Sequence, residues 1–250
     1  MRRALAVPRL RSASMCSREC ALESWPVHKA LCRETHAVRL GKEWARAQSR
    51  GLSFGYAACD DDTKTMQKLI DGLVAALASN KNVAKHRAAA VKAFVDSQDG
   101  RQIGSAAYGA AQEGALKALR LLHERGADLD LPNTQEGTTP SHIAAKFCRT
   151  AAIKLLAELR ADVHKPINKG VPPLHSAAMP GHLNTARLLL QLRADVNAQD
   201  KAGRTACWAA SHRGHDRVIR LLISARASFI ADNTGATPVY IACLLYTSPS

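Results

Sequence analysis

The stretch from residue 172 to residue 205, "PPLHSAAMPGHLNTARLLLQLRADVNAQDKAGRT", decides the fold. It opens on a proline pair, and proline is tolerated in the first turn of a helix because its missing N–H would be unpaired there anyway. The small residues Ala177 and Ala178 follow, so another helix can lie close against this one. That second helix is written in "TARLLLQLRADVN", where apolar residues recur at i, i+3 and i+4 and form a single stripe. Such a helical hairpin cannot bury both of its faces alone. Copies must stack into a quasi-one-dimensional core, and isolated copies are not expected to fold.

Moving outward, the copies are there. The tetrads "TPSH" at Thr139–His142, "PPLH" at Pro172–His175, "TACW" at Thr205–Trp208 and "TPVY" at Thr237–Tyr240 recur at intervals of 33, 33 and 32 residues. Each is followed by a small pair, Ala144-Ala145, Ala177-Ala178, Ala210-Ser211 and Ala242-Cys243. The threonines are placed to cap the short helix with their hydroxyl groups. Further upstream, "SAAYGAAQEGALKALRLLHERGADLD" is a degraded copy whose Tyr108 stands 34 residues before His142.

On these residues the chain resembles the ankyrin-repeat family over about Gly104 to Cys243, as four repeats and the first helix of a fifth. The resemblance implies an all-α solenoid of paired helices with projecting β-hairpin fingers, used to hold other proteins. In this motif His142 and His175 are framework residues, and a position that accepts His, Trp208 and Tyr240 in successive copies is not a shared catalytic position. The candidates for recognition are positions that vary between copies while the framework stays fixed. On the short helices these are Gln112-Glu113, Lys146-Phe147, Met179-Pro180 and His212-Arg213; on the fingers they include Asn133, Lys169, Lys201 and Arg204. They are expected to line one concave strip, whose mixture of Phe147, Met179 and Arg213 suits a protein surface.

Two departures from the family pattern have physical content. The first copy ends its long helix with Gly126, whereas later copies place Arg160, Arg193 and Arg226 there. If the left-handed helix-ending conformation is retained, each arginine carries a steric penalty of roughly 1 kcal/mol that glycine avoids. The second departure is Cys148-Arg149, which replaces the Gly-His of Gly181-His182 and Gly214-His215, so that inter-helix turn departs furthest from the pattern. The tail "LLYTSPS" does not continue into a second helix and supplies no polar capping face, so the last repeat is expected to be cut short.

Residues 41–103 carry no repeat signal and read as a helical adapter that packs on the first copy. Thr63 is a candidate cap for a helix whose Met66, Leu69, Ile70, Leu73, Val74 and Leu77 fall at helical spacing. Asp60-Asp61-Asp62 lacks the alternating ligands and glycine of a calcium loop and reads as a solvated helix start.

Residues 1–40 contain "CSRECALESWPVHKALC", Cys16 to Cys32. Cys16 and Cys20 are spaced C-x3-C and His28 and Cys32 are spaced H-x3-C, so on helices each i, i+4 pair projects from one face and can grip an ion. A helical hairpin with buried thiols is the competing reading. The stretch also closely resembles the second half of a MYND-type zinc finger, matching it at Cys16, Ser17, Cys20, Trp25, His28, Lys29 and Cys32. That resemblance implies zinc held by Cys16, Cys20, His28 and Cys32, short and often proline-containing peptide ligands, and Trp25 as a contact for them. It also implies a cysteine-bearing first half, yet no cysteine or histidine lies between Met1 and Cys16. The Arg-rich opening "MRRALAVPRLRSASM" therefore reads as the remnant of a truncated finger, or alternatively as an organellar transit peptide.

Composition narrows the function classes. Seven cysteines, four of them scattered singly, do not form a secreted disulfide framework and favour a reducing, intracellular location, cytoplasmic or nuclear. No apolar run approaches the length of a membrane span. Half of the net charge of +14 falls in residues 1–50, where eleven Lys/Arg face four Glu. This bias could serve nucleic acid, but a basic, solvated surface is the simpler account. No phosphate-binding glycine loop, Gly-x-Ser-x-Gly or helical metalloprotease motif is present. The expectation is a non-catalytic scaffold, with partners held by the ankyrin region and a zinc-finger module. The alternatives are the recognition part of a larger enzyme, such as a methyltransferase, and a basic nucleic-acid adaptor.

Overall fold

The computed structural model describes residues 54–78, 87–97 and 104–240. All of the regular structure among them is helical: α1 (Phe54–Cys59), α2 (Thr63–Ala78), α3 (Arg87–Val95), α4 (Ala106–Glu113), α5 (Leu116–Glu124), α6 (Pro140–Lys146), α7 (Thr150–Glu158), α8 (Pro173–Ala178), α9 (Leu183–Gln191), α10 (Ala206–His212) and α11 (Asp216–Ser224). The short helices α4, α6, α8 and α10 stack in one row and the longer α5, α7, α9 and α11 in a second, each long helix folded back on its short partner.

The caps follow the sequence. Thr139, Thr205 and Thr237 each accept a bond from the backbone N–H three residues on, at 3.3, 3.2 and 3.2 Å, and Ser105 does the same for Tyr108. Pro172 has no hydroxyl, so α8 begins without a side-chain cap. Between the rows the core is made of small and branched residues, with Ala144, Ala145, Ala177, Ala178, Ile153, Leu156 and Leu189 all closed to solvent. Alanines are what let the short helices approach one another.

The anticipated β-hairpin fingers are tight loops and not paired strands. Each is closed by one or two backbone bonds, as from Asn133 N–H to the Thr138 carbonyl (2.9 Å), or from Asp200 N–H to the Arg204 carbonyl (3.0 Å) and from Gly203 N–H to the Asp200 carbonyl (2.9 Å). Successive fingers are joined by one further bond, from Asn168 N–H to the Glu136 carbonyl and from Lys201 N–H to that of Lys169, both 3.1 Å. So little pairing makes a ladder of turns but no strand among the described residues.

The left-handed conformation at the end of the long helices is retained throughout: φ is 77° at Gly126, 63° at Arg160, 69° at Arg193 and 65° at Arg226. Cys148 likewise takes φ 59°, so the inter-helix turn that lacks glycine keeps the shape of its neighbours, with φ 78° at Gly114 and 83° at Gly181.

The stack does not begin at α4. α1 lies against α4, and α2 lies against α5, in the places that a preceding short and long helix would take. Between α1 and α2, Asp61 adopts φ 56° as the other inter-helix turns do, and its carboxylate reaches forward to accept the Ala118 N–H at 2.7 Å. Asp61 thereby caps α5, whose own N-cap is an alanine. Thr63 is already within α2; Asp62 is the capping side chain, accepting the Thr65 N–H at 3.1 Å. Met66, Ile70 and Leu73 are buried, while Leu69 and Val74 are partly covered. α3 has no counterpart in the later units. It buries Phe94 against Phe54 of α1, with ring centroids 4.8 Å apart, and delivers Asp96 to accept the Asp128 N–H at 2.8 Å. The repeats hand on in the same way, Asp130 accepting from Asp162 N–H (2.8 Å) and Asn197 from Ser228 N–H (2.7 Å).

Candidate partner-binding face

The exposed ends of the short helices form a row, each immediately before a left-handed turn. Gln112-Glu113, Lys146-Phe147, Met179-Pro180 and His212-Arg213 occupy it in order. Phe147 and Met179 leave 45% and 42% of their surface in water, which is large for apolar side chains in a region so well packed beneath.

The row is held from behind by its neighbours. The ring of His182 meets the Lys146 carbonyl at 3.1 Å, and the ring of His215 meets the Met179 carbonyl at 2.9 Å. A carbonyl only accepts, so Nε2 carries the proton in both rings. At the copy that lacks histidine, Arg149 Nε donates to the Gln112 carbonyl at 2.7 Å, and the guanidinium pairs with Glu113 at 3.4 Å. The pair is exposed enough to contribute no more than about 1 kcal/mol. Its use is positional: the backbone beneath Gln112-Glu113, Lys146-Phe147 and Met179-Pro180 is fixed by the next repeat, which leaves the side chains free to face a partner.

Arg204, on a finger, is tied down. It meets Asp200 at 2.7 Å and lies over the Trp208 ring, 5.3 Å from its centroid; Trp208 also stacks on His212, with ring centroids 5.1 Å apart. Burial pushes the Asp200 carboxyl upward, but hydrogen bonds from Arg204 and the Ala202 N–H, with the Arg204 charge, together outweigh it and hold the group below its ordinary value. The structure thus joins Arg204 to His212 through Trp208, and places Lys146, Phe147, Met179, His212 and Arg213 along one row. Trp25, and the zinc-ligand candidates Cys16, Cys20, His28 and Cys32, lie outside the described residues. Among the described residues, no group of three or more His, Cys, Asp or Glu is arranged to hold a metal ion.

His142 and His175 link repeats. His142 Nε2 meets Ser176 Oγ at 2.8 Å, and His175 Nε2 donates to the Arg204 carbonyl at 2.8 Å. Burial, more than the nearby Lys146 and His175, pushes His142 down to about 4, and burial lowers His175 as well. Both rings are neutral at physiological pH, which suits connectors packed between units.

Residues 107–200 match the family model for ankyrin repeats in three copies, and residues 202–233 match it for a further ankyrin repeat. This region is an ankyrin-repeat array. No curated protein matches the chain. The ankyrin framework accounts for the capped short helices and the connecting histidines, and its repeats identify a module that binds other proteins. Two features escaped sequence reasoning. Arg149 marks a departure from the repeat, and nothing in its position says that it would take over the histidine's bond. Tyr56 is half exposed on α1, the short helix of the first unit, in a segment with no repeat motif to flag it.

Proposed function

We propose that the chain is a non-catalytic, intracellular scaffold that grips a protein partner on the strip formed by Lys146, Phe147, Met179, His212 and Arg213, with Arg204 at its finger side. The observation that carries this is the pair of exposed apolar side chains, Phe147 and Met179, on adjacent repeats and flanked by cations on a backbone fixed from behind. Aromatic, methionine and arginine side chains are the types enriched at the centres of protein interfaces, and a few such anchors carry most of the binding energy. With a partner isolated on the chain, the double variant Phe147→Ala/Arg213→Ala is expected to bind at least tenfold more weakly. An unchanged affinity removes the strip from the account.

The N-terminal region is a separate element of the proposal. Cys16, Cys20, His28 and Cys32 hold zinc in a MYND-like module, where Trp25 meets a short peptide. The matched spacing of cysteine, tryptophan, histidine and cysteine supports this. Ligand thiols must lose their protons to bind zinc. Titration is expected to release protons as zinc binds weakly, at about one ion or fewer per chain; no proton release means a hairpin with buried thiols.

A further inference from the structure

The arginines that end the long helices occupy a backbone conformation in which glycine has the advantage, and they do so three times in succession. Arg160, Arg193 and Arg226 all have φ between 63° and 69°. All three side chains are exposed, and none takes part in an ion pair or a side-chain hydrogen bond among the described residues. The nearby carboxylates are directed elsewhere. Asp162 accepts the His164 N–H and Asp195 accepts the Asn197 N–H, both at 2.9 Å, while Glu158 lies 3.9 Å from Arg120.

Favourable interaction with the helix dipole is the obvious internal reason for a cation here. The first repeat shows that it does not require this position. There Arg125 sits at the helix end and Gly126 takes the left-handed conformation, so the two tasks are divided between neighbouring residues. The later copies place Leu159, Leu192 and Ala225 where Arg125 stands, and put the cation in the strained place. A repeated steric penalty, with no ion pair or side-chain hydrogen bond of the arginines to offset it among the described residues, points to an offsetting contact outside the molecule.

The long helices that end in this edge of arginines carry further positive charge. Arg187 of α9 and Arg220 of α11 occupy equivalent positions, 33 residues apart, and both are exposed without an ion pair among the described residues. Between Arg220 and Arg226, Ile223 is 46% exposed.

We infer that this edge, on the opposite row of helices from the proposed strip, docks an extended acidic segment of a partner protein. A fully extended chain advances about 3.4 Å per residue, so every third residue comes opposite the next repeat of a stack spaced at about 10 Å. Acidic residues at that period meet Arg160, Arg193 and Arg226 in turn, and an intervening apolar residue covers Ile223. Duplex DNA fits less well: it carries about six phosphate charges in the same 10 Å, against two basic side chains of this set per repeat, Lys154 and Arg160, Arg187 and Arg193, Arg220 and Arg226.

The test uses the full chain and a fluorescein-labelled Glu-Glu-Leu repeat peptide of about 12 residues, with binding followed by anisotropy at low salt. The triple variant Arg160→Gly/Arg193→Gly/Arg226→Gly is expected to bind at least tenfold more weakly and yet to melt at a higher temperature, so lost binding cannot be ascribed to lost folding. Replacing the same three residues by lysine should keep affinity within about threefold. Absence of peptide binding, or undiminished binding by the glycine variant, overturns the inference. So does a lower melting temperature of the glycine variant, which would mean an internal role for the arginines. Tighter binding of a duplex of similar length replaces the acidic polypeptide with nucleic acid and overturns it equally.

Discussion

The unit formed by α1, α2 and α3 and the repeats that follow it reach the same arrangement from different sequences. In the repeats, short helices are started by Thr139 or Thr205 and tied across by His142 and His175. The first unit has none of these marks. It is held together by the Phe54–Phe94 contact and joined to the stack by the forward reach of Asp61 onto α5, and it shares with the repeats only the handing on of an acidic or amide side chain, here Asp96 to Asp128. The stack therefore requires an apolar face of the right width and a left-handed turn between its helices, and the repeat motif is one way among others of supplying them.

The comparison breaks most visibly at Phe94, which is fully buried. Phe94→Ala is expected to destabilise the chain by about 3–5 kcal/mol, through lost transfer energy and the cavity left behind. Chemical denaturation followed at Trp208, far along the stack, should show the loss. A midpoint unmoved at Trp208 would mean that the first unit melts by itself.

Acid should weaken the array through His142. His142 titrates near 4 in the folded chain against an ordinary value of 6.5, so between those values the unfolded chain binds more protons and stability falls as pH falls. The loss is about 3 kcal/mol by pH 4 and absent above about pH 7. The described part of the first unit contains no histidine. Backbone amides in the array should lose protection below pH 6 in the wild type and keep more of it in His142→Gln.

A smaller effect is expected at the joint. Asp61→Ala removes the cap of α5 and places alanine at a left-handed φ, costing about 1–2 kcal/mol, while Asp61→Asn keeps most of both functions. Thermal melts of the two variants check this, with equal midpoints as the contrary outcome. Smallest is Arg193→Gly, expected to raise the melting midpoint by about 2–4 °C as roughly 1 kcal/mol of steric penalty is relieved. A lower midpoint would reveal an internal contact of the arginine.

The array was legible in the sequence because each of its marks is local: a threonine three residues before the N–H it caps, a pair of small residues, a stripe at helical period. The penalty at Arg160, Arg193 and Arg226 was legible for the same reason, since a family position that favours glycine states its backbone conformation. The first unit was hidden because its equivalence rests on contacts across more than fifty positions, as between Asp61 and Ala118. The intervening α3 also breaks the spacing by which repeats are recognised. At the candidate strip, Phe147 and Met179 could be found as variable positions in a fixed frame. That Arg149 substitutes for a histidine could not, because only the folded neighbour shows which carbonyl it reaches.

The continuity of the stack from α1 onward is tested most directly by native-state hydrogen exchange on the intact chain, comparing Phe94→Ala with the wild type. Amides of α1, α2, α4 and α5, Ala118 among them, are expected to lose protection together. Loss confined to α1, α2 and α3, with α4 and α5 protected as before, would contradict it.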